Sequence, residues 1–316
     1  MTVVHRIAGE ELADRERFLT SKRATKPRCG NGVQQLGLKI IKVLGSGSNN
    51  RVVLLQNKSG EQYVGRFPRR NSDTRDTQSA MHEAKVSMLG AERSFAPALY
   101  DLWFCASDSR EQRRGLHMVM EFYNFDMHDA MLKQMDWFLC KRATIAEIIV
   151  MRLQEMANCG VLLYDLKTSN MVVDRDGTDV RFIDFGRDFC EHASFHDSAS
   201  EITPILNALR LECSDATQYS RRLYLTMLVM LSASIHYELE RSKVSYNISS
   251  HQRDSLHPLK SVARVEWAKS TANDVVSVKN VLRHEDMRKH LRHYCGRRNC
   301  GSRRTFRSAN FGPVPS

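Results

Sequence analysis

Residues 161–186 read VLLYDLKTSNMVVDRDGTDVRFIDFG. Two short apolar runs, MVVD from Met171 and VRFIDF from Val180, stand on either side of the polar segment DRDGTD. That is the pattern of a β-hairpin. Residues able to do chemistry flank it. Asp165, Lys167 and Asn170 precede the hairpin, and Asp184 follows, 14 residues beyond Asn170. Taken singly, an Asp or Asn beside a turn caps or shapes that turn. Four such residues at these intervals ask for more than turn chemistry.

Upstream of this stretch, Ala143 to Asn158 carries Ile145, Ile148, Ile149, Leu153 and Met156 at helical spacing, and Cys159-Gly160 supplies the stop. DMHDAMLKQM, from Asp126, predicts one short helix before it. Before Tyr123 the texture is that of strands. LKIIKVLGSG from Leu38 and NRVVLLQ from Asn50 bracket a glycine loop, and a third strand follows the turn at Lys58 to Gly60. Thr77 to Gly90 has helical spacing, with Ala80, Ala84, Met88 and Leu89 on one side. Pro97 to Cys105 and Gly115 to Phe122 read as two more strands. Beyond the hairpin the chain is mostly helical to about Lys269, with the apolar run Leu223 to Ile235 as a buried helix. The order is five strands with one helix, then helices with one hairpin, which predicts an α+β chain of two unlike halves.

The glycine loop, Gly45 to Val52, lies between two strands. It lacks the Lys-Ser or Lys-Thr of a Walker loop and the following helix of a dinucleotide fingerprint. Glu83 sits on the first helix, 17 residues after Arg66 of the third strand, and Met120-Glu121-Phe122-Tyr123 leaves the fifth strand at the boundary. Together with YDLKTSN and FIDFG, this series resembles the eukaryotic-type protein kinase family over about residues 38–190. The resemblance implies a two-lobed protein-kinase-like fold with a small antiparallel N-lobe, residues 38–122, and a mostly helical C-lobe, residues 123–282. It implies Mg2+ and ATP as cofactors. Phosphoryl transfer is catalysed by positioning and charge neutralisation. On that basis Asp184 and Asn170 would hold magnesium through oxygen. Asp165 would take the acceptor proton, and Lys167 would neutralise the moving phosphoryl group. Gly45, Gly47 and Val52 would cover the nucleotide. Arg66 and Glu83 would meet the phosphates, and Glu121 and Tyr123 would offer backbone groups to adenine. Met120 would limit the depth of the adenine pocket. Asp126 would reach the ribose or cap a helix. Asp215 would take the family's core-anchoring place.

The chain departs from the family pattern at several positions. Where the family has a strand lysine in VAIK, this chain has YVGRF, with Arg66 in the lysine's place. Arginine keeps the charge and changes the shape. Arg69 and Arg70 are nearby alternatives, but Pro68 intervenes and is expected to end the strand. Asn50 replaces the third lid glycine, and Leu163-Tyr164 replaces the His-Arg before the catalytic Asp. No APE motif follows FIDFG, and Arg187 to Pro204 is rich in His, Ser and acids. Control by loop phosphorylation is therefore not expected, and the peptide-docking platform is expected to be reduced.

The leading expectation is an ATP-dependent phosphotransferase acting on a serine or threonine of a protein substrate. Lys167 favours this, because small-molecule phosphotransferases resembling this fold carry a histidine-rich loop instead. A pseudokinase serving as a binding or scaffold module is the alternative that Arg66 supports, and an atypical small-molecule kinase is another. Composition agrees with a folded protein. Of 316 residues, 42% are hydrophobic and 26% charged, which excludes a wholly disordered, collagen-like or rod-like chain. No apolar run reaches the roughly 18 residues of a membrane span, and the first residues have no signal-peptide core. A soluble intracellular protein, cytoplasmic or nuclear, is expected. The net charge is +11, of which +7 lies in residues 283–316. That basic tail is expected to be flexible and to touch polyanions. Residues 1–37 read as an extension with one short helix near Glu10 to Leu19. Scattered cysteines suit reduced thiols. Cys295, Cys300, His290 and His293 stand close together in the sequence without a specific zinc spacing.

Overall fold

A computed structural model describes residues 33–46, 50–69, 77–105, 114–163, 165–186, 190–192, 209–210, 213 and 215–283. The expectations placed on Gly47, Arg70, Tyr164, Glu10 to Leu19, the segment Arg187 to Pro204 apart from residues 190–192, and the tail beyond Arg283 lie outside the described residues, as do Cys295, Cys300, His290 and His293. The chain is α+β and divides into two compact units. The first holds the described residues up to Tyr123 together with residues 183–186, and the second holds residues 124–182 and those from 190 onward.

The first unit is built on five antiparallel strands: β1 (Lys39–Ser46), β2 (Asn50–Gln56), β3 (Gln62–Pro68), β4 (Leu99–Cys105) and β5 (Gly115–Glu121). Their order is β1-β2-β3-β5-β4, so β3 is central. Alternation along the strands sorts side chains onto two faces. Leu116 and Met118 point with Leu102 and Phe104 toward helix α1 (Thr77–Glu92), whose Ala80, Ala84 and Met88 close that core. Met120 packs partly buried against the same cluster. Val53, Leu55, Tyr63, Trp103 and Val119 form a second core on the other face. Gly65 of β3 belongs to the crowded side: a Cβ there would lie 2.6 Å from the Phe67 ring and 2.9 Å from Leu55 Cδ1. Cys105, at the end of β4, is disulfide-bonded, so the expectation of thiols throughout fails at that position. Cys140, Cys159 and Cys213 are free.

The second unit begins with β6 (Phe125–Asp126) and α2 (Met127–Lys133). Helix α3 (Met135–Asn158) follows, starting eight residues earlier than the periodicity of 143–158 alone predicts. Phe138 explains the extension, because it is buried on the same face as Ile145, Ile149 and Leu153. Short strands β7 (Val161–Leu163), β8 (Met171–Val173), β9 (Val180–Phe182) and β10 (Cys190–His192) come next. β8 and β9 form the predicted hairpin, with Met171 opposite Phe182 and Val173 opposite Val180. Asp174 shapes its turn by accepting from the backbone N–H of Thr178 (2.7 Å) and Asp179 (2.9 Å). β6 adds to this hairpin, and β10 pairs with β7, two joins that no local pattern announces.

Helix α4 (Ala216–Tyr246) is the longest element. Its segment Leu223–Leu231 is buried throughout, as the apolar run predicts. It packs against α3, α6 (Leu259–Ala268) and α7 (Ala272–Arg283). Between them, α5 spans Ser250–Ser255. Asp215 caps α4, its Oδ1 accepting from Gln218 N–H at 2.8 Å. Arg222 and Asp274 form a buried ion pair: Arg222 has no exposed surface, and its Nε donates to Asp274 Oδ1 at 2.9 Å. Thr271 Oγ1 donates to Asp274 Oδ2, so both carboxylate oxygens are bonded.

Removing one member of a buried pair strands the other charge, at a cost of about 3–5 kcal/mol. Arg222→Ala and Asp274→Ala should each lower stability by that order in urea denaturation, whereas Arg222→Met combined with Asp274→Leu should recover most of the loss. His257 gives a second test. Its Nε2 meets the Ser232 carbonyl at 2.9 Å, while its buried Nδ1 has no partner among the described residues. Burial pushes its pKa down to about 4 from the ordinary 6.5. The stabilising contribution is therefore complete above pH 6.5 and is lost as the pH falls through about 4. Urea denaturation between those pH values should show a shallower loss of stability for His257→Gln than for the native chain.

Candidate functional site

In the first unit the site residues converge on Arg66. Central strand β3 carries Arg66 toward helix α1, and its Nη1 forms an ion pair with Glu83. Nη2 donates to Asp184 Oδ1 at 3.2 Å. One guanidinium thus bridges two carboxylates, a task suited to its planar fork. Glu83 is 2% exposed. Burial raises its carboxyl above the usual range, the Arg66 charge opposes that rise, and Asp184 adds to it. Asp184 has φ 69°, a left-handed backbone that costs a non-glycine residue energy. Next to it Phe185 is buried and meets Phe95 edge-on, with ring centroids 5.9 Å apart. The aromatic contact holds the FIDFG segment on one side of Asp184, and Arg66 holds the carboxylate itself.

Gly45, Val52 and the end of β5 belong to the same unit. Gly45 of β1 lies opposite Val52 of β2, and a Cβ on Gly45 would meet nothing within 4 Å. Among the described residues no packing therefore demands a glycine there. At the end of β5 the Glu121 N–H donates to the Ala98 carbonyl at 2.9 Å, which leaves the carbonyl as the backbone group Glu121 has to offer. Glu121 Oε2 accepts from Ala98 N–H, and the Tyr123 hydroxyl donates to it at 3.4 Å.

The second unit gathers Asp165, Lys167 and Asn170 around a single 3-10 turn, Thr168–Asn170. Lys167 Nζ donates to Asp165 Oδ2 at 2.7 Å. Asn170 Nδ2 donates to the same oxygen at 2.9 Å and to the Asp165 carbonyl at 3.0 Å. Both side-chain donors meet Oδ2, so Oδ1 is the oxygen open to a proton. With its amide nitrogen committed, Asn170 keeps Oδ1 as a free acceptor, which is the atom a hard cation takes. Asp184 likewise retains Oδ2, which the described contacts do not use. The donor chemistry of both residues therefore fits magnesium. Asn170 and Asp184 belong to different compact units. Among the described residues no group of three or more His, Cys, Asp or Glu is placed to hold a metal ion. Asp126 acts as a helix cap, its Oδ1 accepting from Asp129 N–H at 2.7 Å.

Sequence reasoning missed Glu238 and His128. Glu238 of α4 accepts from the Thr168 hydroxyl at 2.6 Å, and His128 Nδ1 lies 3.2 Å from that hydroxyl. Neither residue sits in a motif, and they lie 70 and 40 residues from Thr168.

No family model matches the chain. Over 163 residues, 50% of the chain, it is 31% identical to human protein kinase C delta type, of which it spans 22%. The chain thus covers about a fifth of the length of that relative. Among the described residues no helix is long and apolar enough to cross a membrane.

Because Arg66 neutralises Glu83, its loss should leave a nearly buried carboxylate unpaired. Arg66→Ala should destabilise the chain by about 3–5 kcal/mol. Arg66→Ala combined with Glu83→Leu should restore much of that stability. Thermal melting of the two variants beside the native chain measures the difference.

Proposed function

We propose that the chain is an ATP-dependent phosphotransferase of the serine/threonine protein kinase type. The observation that carries the proposal is the hydrogen-bonded set Asp165–Lys167–Asn170 on one turn. It joins a candidate proton acceptor, a cation for the phosphoryl group and an oxygen for metal within 3.0 Å contacts. The partial identity to a protein kinase supports it. Asp165 would orient the acceptor hydroxyl and take its proton on Oδ1. Lys167 would balance charge on the transferring group. Asn170 and Asp184 would hold magnesium, which when bound neutralises phosphate charge. Arg66 would meet the nucleotide phosphates, kept in place by Glu83. Gly45 and Val52 would lie over the nucleotide, and Gly47 would share that role. Glu121 and Tyr123 would face adenine through backbone groups.

One observation favours a second reading, a pseudokinase serving as a binding or scaffold module. The Arg66 guanidinium already serves two carboxylates, Glu83 and Asp184, so less of its charge is available to phosphate.

Nucleotide binding with and without Mg2+, followed by transfer of labelled phosphate to the chain itself and to a generic serine/threonine-containing protein, separates the two. The kinase reading expects both binding and transfer. It also expects Asp165→Ala to lower transfer by roughly 10²–10⁴-fold, the range for a general base, with nucleotide affinity kept. Asp184→Asn should abolish the magnesium-dependent part of binding. Binding without turnover supports the scaffold, and absence of binding overturns the kinase reading.

A further inference from the structure

The turn that carries the candidate catalytic set is weakly held by its own backbone. Thr168–Asn170 is a single 3-10 turn, and Lys167 at its start makes no side-chain capping bond. Its internal support is two backbone hydrogen bonds, Asn170 N–H to the Lys167 carbonyl at 3.0 Å and Met171 N–H to the Thr168 carbonyl, and neither engages Thr168 N–H. Short 3-10 turns have poor hydrogen-bond geometry and leave donors unpaired at their start. The missing acceptor arrives from helix α4. Both Glu238 oxygens lie 3.3 Å from Thr168 N–H, and Oε2 accepts from Thr168 Oγ1 at 2.6 Å.

Proton bookkeeping orders the contacts further. The Thr168 hydroxyl has one proton, and the 2.6 Å bond assigns it to Glu238. The oxygen can then only accept from His128, so His128 presents Nδ1–H across 3.2 Å. The result is a directed chain from His128 of α2 through Thr168 to Glu238 of α4. We propose that Glu238 is a positioning residue, whose carboxylate clamps the Thr168–Asn170 turn and thereby aims Asp165, Lys167 and Asn170. This rests on the phosphotransfer reading above.

Stability alone does not explain the carboxylate. Burial raises the Glu238 carboxyl above its usual range, with the Thr168 hydrogen bonds and the His128 and Lys167 charges opposing the rise. A partly desolvated acid is a net cost that an apolar side chain would avoid. Its neighbours Ile235 and Leu239 already supply apolar burial on α4. What the carboxylate adds is the capture of two donors on the turn, which an apolar side chain could not provide. A displacement of about 1 Å in such a set is enough to cost roughly 10²-fold in rate.

The test compares the full chain with Glu238→Ala and Glu238→Gln in three measurements: phosphotransfer, thermal melting, and hydrogen exchange of the Thr168 amide. Glu238→Ala should lower kcat by about 10–100-fold while KM for ATP and the melting temperature are kept. The Thr168 amide should exchange faster. Glu238→Gln should recover part of kcat, because its amide oxygen still accepts from Thr168 N–H while its NH2 does not accept from the hydroxyl. Wild-type kcat in Glu238→Ala overturns the proposal. So does a loss of kcat that follows a fall in melting temperature, or one accompanied by an equal rise in KM. If Glu238→Ala does not fold, the Glu238→Gln values decide by the same criteria. If the native chain shows no turnover, the phosphotransfer reading fails and the positioning role falls with it. Faster exchange in the variants would then retain only the clamp, and unchanged exchange would remove that as well.

Discussion

Glu83 lies almost wholly out of water, and that position is tenable because Arg66 stands beside it. An isolated carboxylate there would have to neutralise or unfold its surroundings. The pair also links two elements that the chain makes separately. β3 is the central strand of the five-stranded sheet, and α1 is the long helix covering one face. Ala80, Ala84 and Met88 bring the helix against the sheet by apolar contact, which is non-directional. The ion pair adds direction, because only one placement of α1 along β3 joins Glu83 to Arg66. The same guanidinium then reaches Asp184, so the position of the FIDFG carboxylate depends on a contact that serves packing first.

Charge buried with a partner recurs in the second unit. Arg222 and Asp274 tie α4 to α7, with Thr271 completing the carboxylate's bonds. Glu238 ties α4 to the Thr168 turn. Helix α4 therefore has two roles along its length. Near its start and middle it is a hydrophobic axis, with Leu223–Leu231 buried. Toward its end it supplies a polar grip on the loop carrying Asp165, Lys167 and Asn170. A rigid helix suits that second role, since a site held from regular structure is placed more accurately than one held from a loop.

Much of the architecture follows from local pattern. Alternation located the five strands, and the apolar spacing of 77–90 and 143–158 located two helices. DRDGTD marked the hairpin now seen between Met171 and Phe182. Pro68 ends β3 as its missing N–H requires. The boundary of α3 was less legible, because MDWFLCKR carries its buried residue, Phe138, in a segment too polar for periodicity to register. Of the site, the residue set around Asp165 and the meeting of Arg66 with Glu83 could be anticipated from motif order and from helix-on-strand packing.

By itself, then, the sequence determined the five strands of the first unit, the hairpin and the main helices, and which side chains could bear charge or metal, since those properties depend on neighbours a few positions away. Only the tertiary structure decided the partners. It gave Arg66 a second carboxylate 118 positions along the chain, and it placed Asp126 and Asp215 as helix caps. It turned the Asn170 amide so that its oxygen stays open, and it brought Glu238 to Thr168 across 70 residues. The physical reason is the same in each case. A hydrogen bond or ion pair selects its partner by distance and direction in space, and contacts between distant segments leave no periodic trace in the order of the residues.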